Sequence, residues 1–347
     1  MRSIQYLRGL AAFGVLVFHA VERAGQSFGT GAAGVDVFFV ISGFIMWVVT
    51  SGRPTSPVEF LQRRVERIVP LYWGLTLITA AAAIAVPALF PAMQPGAGHV
   101  LKSLFFVPHA DPTGLIAPLV VPGWTLNYEM FFYVLFAAVL FAPARLRPLI
   151  LTAVLVSLVA IRPLGDASNP LWATYTNNLL LEFAAGVWLG QAWRARRLPG
   201  HAAGWAMIAL GLAGFAAVAL TGVDVERARA LLWGVPAFLL VAGAVSVEQA
   251  GPVPALPPLR ALGDASYSVY LVHGLAISAA FRLLQKAGVT SLPLLLVASL
   301  IAGVIAGLVA YQLVEKPLMK LFKTGMAAKR GRAPRPASAV QQARPGL

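Results

Sequence analysis

The chain contains no cysteine, which excludes disulfides, thiolate metal sites and a cysteine nucleophile. Charge is also scarce. Only 12% of the 347 residues are Asp, Glu, Lys or Arg, and the acidic ones number 13. An average soluble domain is about 25% charged, so this chain cannot cover a globule with polar surface. Its five histidines show no HxxxH or HExxH spacing, and no metal site is expected.

What is present is apolar. The hydrophobic fraction is 59%. Disorder needs low hydrophobicity and is excluded as the general state of the chain. The expected class is an all-α integral membrane protein, since each span needs about 20 apolar residues. About ten such segments are legible: Ile4–Glu22, Ala32–Thr50, Ile68–Phe90, Trp124–Ala142, Pro148–Leu164, Thr176–Trp193, Ala202–Leu220, Ala230–Val247, Ala265–Leu284 and Leu292–Val314. Residues 1–323 read as one transmembrane domain. Residues 324–347, rich in Ala, Arg, Pro and Gln without periodicity, read as a disordered basic tail near anionic lipid.

The net charge of +14 would suggest nucleic acid in a soluble protein. Here it fits the positive-inside rule. With both termini in the cytoplasm, the cytoplasmic side holds about 19 basic residues and the outer side about 7. The expected surroundings are therefore a lipid bilayer rather than nucleic acid. One outer loop, Pro91 to Gly123, is long and carries two histidines, several prolines and the apolar stretch Val100–Val107. It reads as a re-entrant or interfacial segment facing substrate.

Polar residues inside apolar helices are the informative ones, because each charged group at mid-helix costs about 2.5–3.5 kcal/mol on insertion scales. The first span holds Arg8 and His19. Eleven residues are close to three turns, so the two share a face about 16 Å apart along the axis. A snorkelling arginine and a structural histidine would show the same spacing. Asp36 opens the second span at a depth similar to His19. There it can fix an imidazole tautomer or simply face the helix dipole. Arg63, Arg64 and Arg67 crowd the inner mouth of the third span. Their forks suit phosphate, and they equally suit positive-inside anchoring. Glu129 lies about one and a half turns into the fourth span, and Ser266, Tyr270 and His273 share one face of the ninth. Together these residues line a polar interior with a basic inner end and an outer end bearing His19, Asp36 and Glu129.

Two motif matches carry less. Gly29 to Gly34 matches GxGxxG but follows no strand, so dinucleotide binding is rejected. Gly186xxxGly190 and Gly303xxxGly307 are expected to let helices approach closely.

Five segments in order resemble the membrane acyltransferase 3 family. They are Arg8 with ten residues before His19, GlyValAspValPhePheValIleSerGlyPhe from Gly34, and Arg64–Arg67 before ProLeuTyrTrp. TrpThrLeuAsnTyrGlu from Trp124 and TyrSerValTyrLeuValHis from Tyr267 complete the set. The opening SerIleGlnTyrLeuArgGlyLeuAlaAla is similar to the exopolysaccharide O-acetyltransferase branch. Thr125 stands where many members have serine.

The resemblance implies an O-acyltransferase of the bacterial inner membrane with no permanently bound cofactor. It would take an acyl group, most often acetyl, from cytoplasmic acyl-CoA. The acceptor would be a hydroxyl of a cell-surface polysaccharide or glycolipid, with export machinery as a partner. On that basis Arg8, Arg63, Arg64 and Arg67 are expected to hold the CoA phosphates. His19, oriented by Asp36, is expected to act on the acyl transfer, directly as a base or through an acylated imidazole. Glu129 is expected to bind or activate the acceptor, with Trp124, Tyr128 and His273 contributing to substrate binding. Buried His, Asp and Glu also suit a proton-coupled transporter or flippase. A non-catalytic assembly subunit is a third reading.

Overall fold

The computed structural model describes residues 1–90, 93 and 95–322, so the expected tail at 324–347 lies outside the described residues. Among the described residues the fold is helical, with one isolated antiparallel bridge between Ala110 and Ile116. The helices are α1 (Arg2–Arg23), α2 (Gly34–Thr50), α3 (Pro57–Ala85), α4 (Ala97–Leu104), α5 (Trp124–Val139), α6 (Arg147–Ala160) and α7 (Pro170–Tyr175). They continue as α8 (Leu180–Arg194), α9 (His201–Thr221), α10 (Val235–Ala250), α11 (Pro257–Asp264), α12 (Ser266–Lys286) and α13 (Leu292–Ala310).

A helix occupies each of the ten expected apolar segments. Eight helical segments are long and apolar enough to cross a membrane. The others, α5 and α8, have 16 and 15 residues and fall short of that length. The chain is a multi-pass helical membrane protein. Its outer helices carry the matching surface: Leu210 and Leu212 on α9 and Ile301 and Ile305 on α13 are all exposed. Apolar side chains in that position face lipid.

Helix boundaries differ from the sequence reading where a cap decides. Helix α3 begins at Pro57, eleven residues before the apolar run, because Ser56 Oγ accepts a hydrogen bond from the Glu59 N–H and Pro57 fits the first turn. That extension puts the arginine cluster on the helix itself. Helix α7 forms in a stretch read as loop, with the Asn169 side chain accepting from the N–H groups of Leu171 and Trp172.

Small residues set the packing. A Cβ on Gly43 would lie 2.1 Å from the Phe183 carbonyl oxygen, and one on Gly186 would lie 2.1 Å from the Val40 carbonyl oxygen. Helices α2 and α8 therefore touch backbone to backbone. Gly303 closes on the Leu16 side chain of α1, and Gly307 on Val269 of α12, side chain and backbone alike. Both close-approach pairs thus act as the sequence suggested. Phe183 stacks on Phe39 at 4.6 Å and on Phe132 at 4.4 Å, joining α2, α5 and α8 in one aromatic core.

The segment between α3 and α5 folds back into the bundle. The Tyr72 hydroxyl donates to the Ser103 carbonyl at 3.1 Å, and Ser103 Oγ accepts from the Leu119 N–H at 2.9 Å. Ala117, Leu119 and Val120 are buried. At Gly123 a Cβ would stand 2.6 Å from the Tyr72 ring, so only glycine lets the chain turn into α5 against that tyrosine. Helix α5 consequently starts inside the bundle, not at its outer surface. At the tip of the segment, Asp111 Oδ1 accepts from the Thr113 N–H and hydroxyl and from the Leu115 N–H. Slight burial pushes the Asp111 carboxyl up, but these bonds together hold it below its ordinary range.

Candidate active site

Two cavities lie toward opposite ends of α1. The first, about 180 Å³, is lined by Arg8, Arg64, Arg67, Glu129, Tyr133 and Tyr270 among others. The second, about 440 Å³, is lined by His19, Glu22, Arg23, His273 and the turn Leu119–Pro122. Each reaches the surface through a partly exposed side chain: Arg67 is 26% exposed and His19 33%.

The arginine cavity is an ordered network. Arg67 bonds Glu315, which also accepts from Ser268 Oγ, and its guanidinium lies 5.8 Å from the Tyr267 ring centre. Glu315 is supplied by a π-helical turn, Tyr311–Glu315, that follows α13. Arg8 donates to Gln5 at 3.2 Å. Arg64 has a buried Nε without a hydrogen-bond partner. Arg63 points elsewhere, to Glu59 on its own helix. Of the four arginines expected to act together, three therefore meet in the cavity. Arg63 does not, because one residue step along a helix turns it about 100° from Arg64.

Glu129 is also here. Its carboxylate accepts from the Tyr133 hydroxyl at 3.0 Å, and that hydroxyl lies 3.3 Å from Ser42 Oγ. The sequence reading placed Glu129 with His19 at the outer end, and the structure corrects this. Because α5 begins inside the bundle, one and a half turns carry Glu129 to the arginine end.

In the second cavity the His19 and His273 ring centres are 5.0 Å apart. His273 Nδ1 lies 2.6 Å from the Tyr270 carbonyl oxygen. A carbonyl only accepts, so Nδ1 carries the hydrogen and Nε2 presents a lone pair. That Nε2 is buried and has no partner. His19 Nδ1 lies 3.2 Å from Glu22 Oε2, three residues on in the same helix. A carboxylate there leaves His19 Nε2 as the free basic nitrogen.

The carboxylate beside His19 is thus Glu22, not Asp36. Asp36 is fully buried and takes both forks of Arg229, at 3.0 and 3.2 Å. The reason is electrostatic: a buried carboxylate needs a full counter-charge, and a bidentate guanidinium supplies it where a half-exposed imidazole would not. Arg229 comes from the segment before α10, read as an outer loop, and it is buried between the rings of Trp233 at 4.8 Å and Trp124 at 5.8 Å. Glu182 is buried beside this pair. Trp124 packs edge-on against Tyr128 at 5.8 Å. The two aromatic residues expected to bind substrate therefore pack beside the Asp36–Arg229 pair and line neither cavity. Glu22 escaped the sequence reading although its signal was local: an acidic residue at i+3 from His19 shares its helix face.

The acyltransferase domain family matches residues 1–312. The chain is 43% identical over 309 residues to the exopolysaccharide production protein ExoZ of Rhizobium meliloti, covering 88% of this chain and 95% of that one. It is 27% identical over 367 residues to the acyltransferase MdmB of Streptomyces mycarofaciens, covering 92% of each. To the peptidoglycan O-acetyltransferase OatA of Listeria monocytogenes it is 24% identical over 309 residues, 78% of this chain and 48% of that one. No solved structure matches the chain. A match over nearly the whole described fold decides against the transporter and assembly-subunit readings: the chain belongs to the acyltransferase 3 family and is an acyltransferase.

Proposed function

We propose that this enzyme transfers a short acyl group, acetyl in the first instance, from acyl-CoA to a hydroxyl of a cell-surface polysaccharide across the inner membrane. The observation that carries this reading is the pairing of an arginine cavity and a two-imidazole cavity on one helix, through Arg8 and His19. CoA is polyanionic and cannot enter lipid, but Arg8, Arg64 and Arg67 offer a cationic pocket for its phosphates. The pantetheine arm is thin enough to continue toward the histidines.

At the far cavity, His19 Nε2 removes the proton of the acceptor hydroxyl. The hydroxyl oxygen attacks the thioester carbonyl, the C–S bond breaks, and the imidazolium returns its proton to the departing thiolate. Glu22 holds the His19 ring and stabilises its charged form. His273 Nε2 is placed to accept a hydrogen bond from the acceptor or from His19 as charge moves. Glu129, bonded to Tyr133, adds a carboxylate to the arginine cavity and acts at the donor end, not on the acceptor. The 43% identity to an exopolysaccharide production protein, over 95% of that protein's length, favours an exopolysaccharide acceptor. A cytoplasmic location of both termini, ten spans and an export-machinery partner belong to the same reading.

The test is release of free thiol from acetyl-CoA in proteoliposomes supplied with deacylated polysaccharide. His19→Ala is expected to lower transfer by about 10²–10⁴-fold while the protein still inserts. Full activity of that variant overturns the role of His19. Labelled acetyl that stays on the protein without acceptor would replace the direct route by an acyl-imidazole one.

A further inference from the structure

The two cavities approach each other at α12, where neighbouring residues line one each. Tyr270 faces the arginine cavity, while His273, three residues on in α12, faces the histidine cavity. Their ring centres are 5.9 Å apart. The ring of Tyr270 is buried, packed edge-on against Phe38 at 5.8 Å.

A hydrogen-bonded chain links residues of the two cavities. Thr125 Oγ1 lies 3.1 Å from the Pro122 carbonyl oxygen and 3.1 Å from the Tyr270 hydroxyl. A hydroxyl has one hydrogen. The carbonyl only accepts, so Thr125 gives its hydrogen to Pro122 and the bond to Tyr270 is donated by the tyrosine. Pro122 lines the histidine cavity and Thr125 the arginine cavity. The bond therefore ties the tyrosine to the turn that forms the opposite wall. Tyr270 thus lines the cavity of the arginines and touches, through its ring, the His273 imidazole of the other.

We propose that Tyr270 is a gate between the donor and acceptor cavities, latched shut by its hydrogen bond to Thr125. Turning the ring breaks one neutral hydrogen bond and joins the cavities into a continuous passage. The latch keeps the histidine cavity closed to the donor side until a thioester arm displaces the ring. Tyr270 is a positioning residue: it controls access and leaves the bond changes to the imidazoles. The inference rests on the reading of two connected half-sites, but its test needs no acyl donor.

The absence of cysteine makes the test direct, because a single introduced thiol has no background. Ile45 lines the arginine cavity. Ile45→Cys is placed in sealed membrane vesicles of each orientation and exposed to a membrane-impermeant, sulfonate-bearing methanethiosulfonate. Labelling is expected from the arginine side and at least tenfold slower from the histidine side. Adding Tyr270→Ala or Thr125→Val is expected to raise the histidine-side rate at least tenfold, while Thr125→Ser, which keeps the hydroxyl, retains the shield. Should Tyr270→Ala fail to reach the membrane, Tyr270→Leu and Thr125→Val carry the comparison. Histidine-side rates that stay within twofold of the Ile45→Cys parent in the Thr125→Val and tyrosine variants overturn the gate. Failure of the donor reading shows separately, as no thiol release from acetyl-CoA by the unmutated enzyme.

Discussion

His273 presents an unpartnered Nε2 lone pair beside the ring of His19, which lies 5.0 Å away between centres. A buried nitrogen with nothing to accept from is costly unless a ligand or a moving proton completes it. His273→Asn retains polar character but shifts the acceptor atom. It is expected to lower acyl transfer by about 10–100-fold, an effect typical of residues that support an acting group. The measurement is thiol release at saturating donor and acceptor, with thermal stability followed in parallel. Unchanged turnover would make His273 a packing residue.

Glu22 and Asp36 separate orientation from stability. Glu22→Gln keeps the shape but removes the charge beside His19 Nδ1, so turnover should fall by about tenfold with no change in melting temperature. The pair is 61% exposed at Glu22, which limits its effect on folding. Arg229→Ala leaves the Asp36 carboxylate buried and unpaired and should destabilise the protein by about 3–5 kcal/mol. Thermal unfolding in detergent reads both stabilities, and thiol release reads the turnover of Glu22→Gln. A stable Arg229→Ala protein would remove the pair from its structural role.

Arg64→Gln and Arg67→Gln should act on the donor. Both side chains line the arginine cavity. Each is expected to raise KM for acyl-CoA by about tenfold, one charge-assisted hydrogen bond's worth, and to leave KM for the polysaccharide unchanged. Arg63→Gln should leave both constants near the parent values, because Arg63 pairs with Glu59 outside the cavity. An effect on the acceptor alone would reverse the polarity assigned to the two cavities.

Gly43→Ala tests the close contact of α2 and α8. Its Cβ would stand 2.1 Å from the Phe183 carbonyl oxygen, a backbone atom that cannot turn aside. The helices must separate, pulling Phe39 from Phe183. Overpacking of this kind costs about 1–3 kcal/mol, read as a lower melting temperature. No loss of stability would mean that the two helices slide freely.

Asp111 gives a pH dependence. Its carboxyl is held low in the folded protein, so its contribution is present above the unfolded value and is lost as pH falls through the folded one. Protease protection of the Ala110–Ile116 turn is therefore expected at neutral pH and should fade in acid, below the ordinary Asp range. Asp111→Ala should remove the pH dependence and expose the turn throughout. Cleavage at the same rate in the parent and Asp111→Ala at neutral pH would show that the bonds do not hold the turn.

The linear pattern was sufficient for much of this protein. Apolar runs specify where the helices are, since lipid admits only backbone that bonds within itself. Helical periodicity alone set Arg8 and His19 on one face, and the small-residue spacing at Gly186 and Gly303 marked where helices touch. Even the early start of α3 was written in Ser56, Pro57 and Glu59.

Partnership across helices was decided only by the tertiary structure. Depth along a span suggested Asp36 and Glu129 for His19, but depth is one coordinate of three. A segment that folds inward started α5 deep in the bundle and sent Glu129 to the arginines. Arg229, 193 positions from Asp36 in the chain, claimed that carboxylate because a buried charge takes the strongest counter-charge within reach. Which faces of adjacent helices meet depends on packing between elements distant in sequence. That is why periodicity could name the polar residues but could not sort them into two cavities with a tyrosine between them.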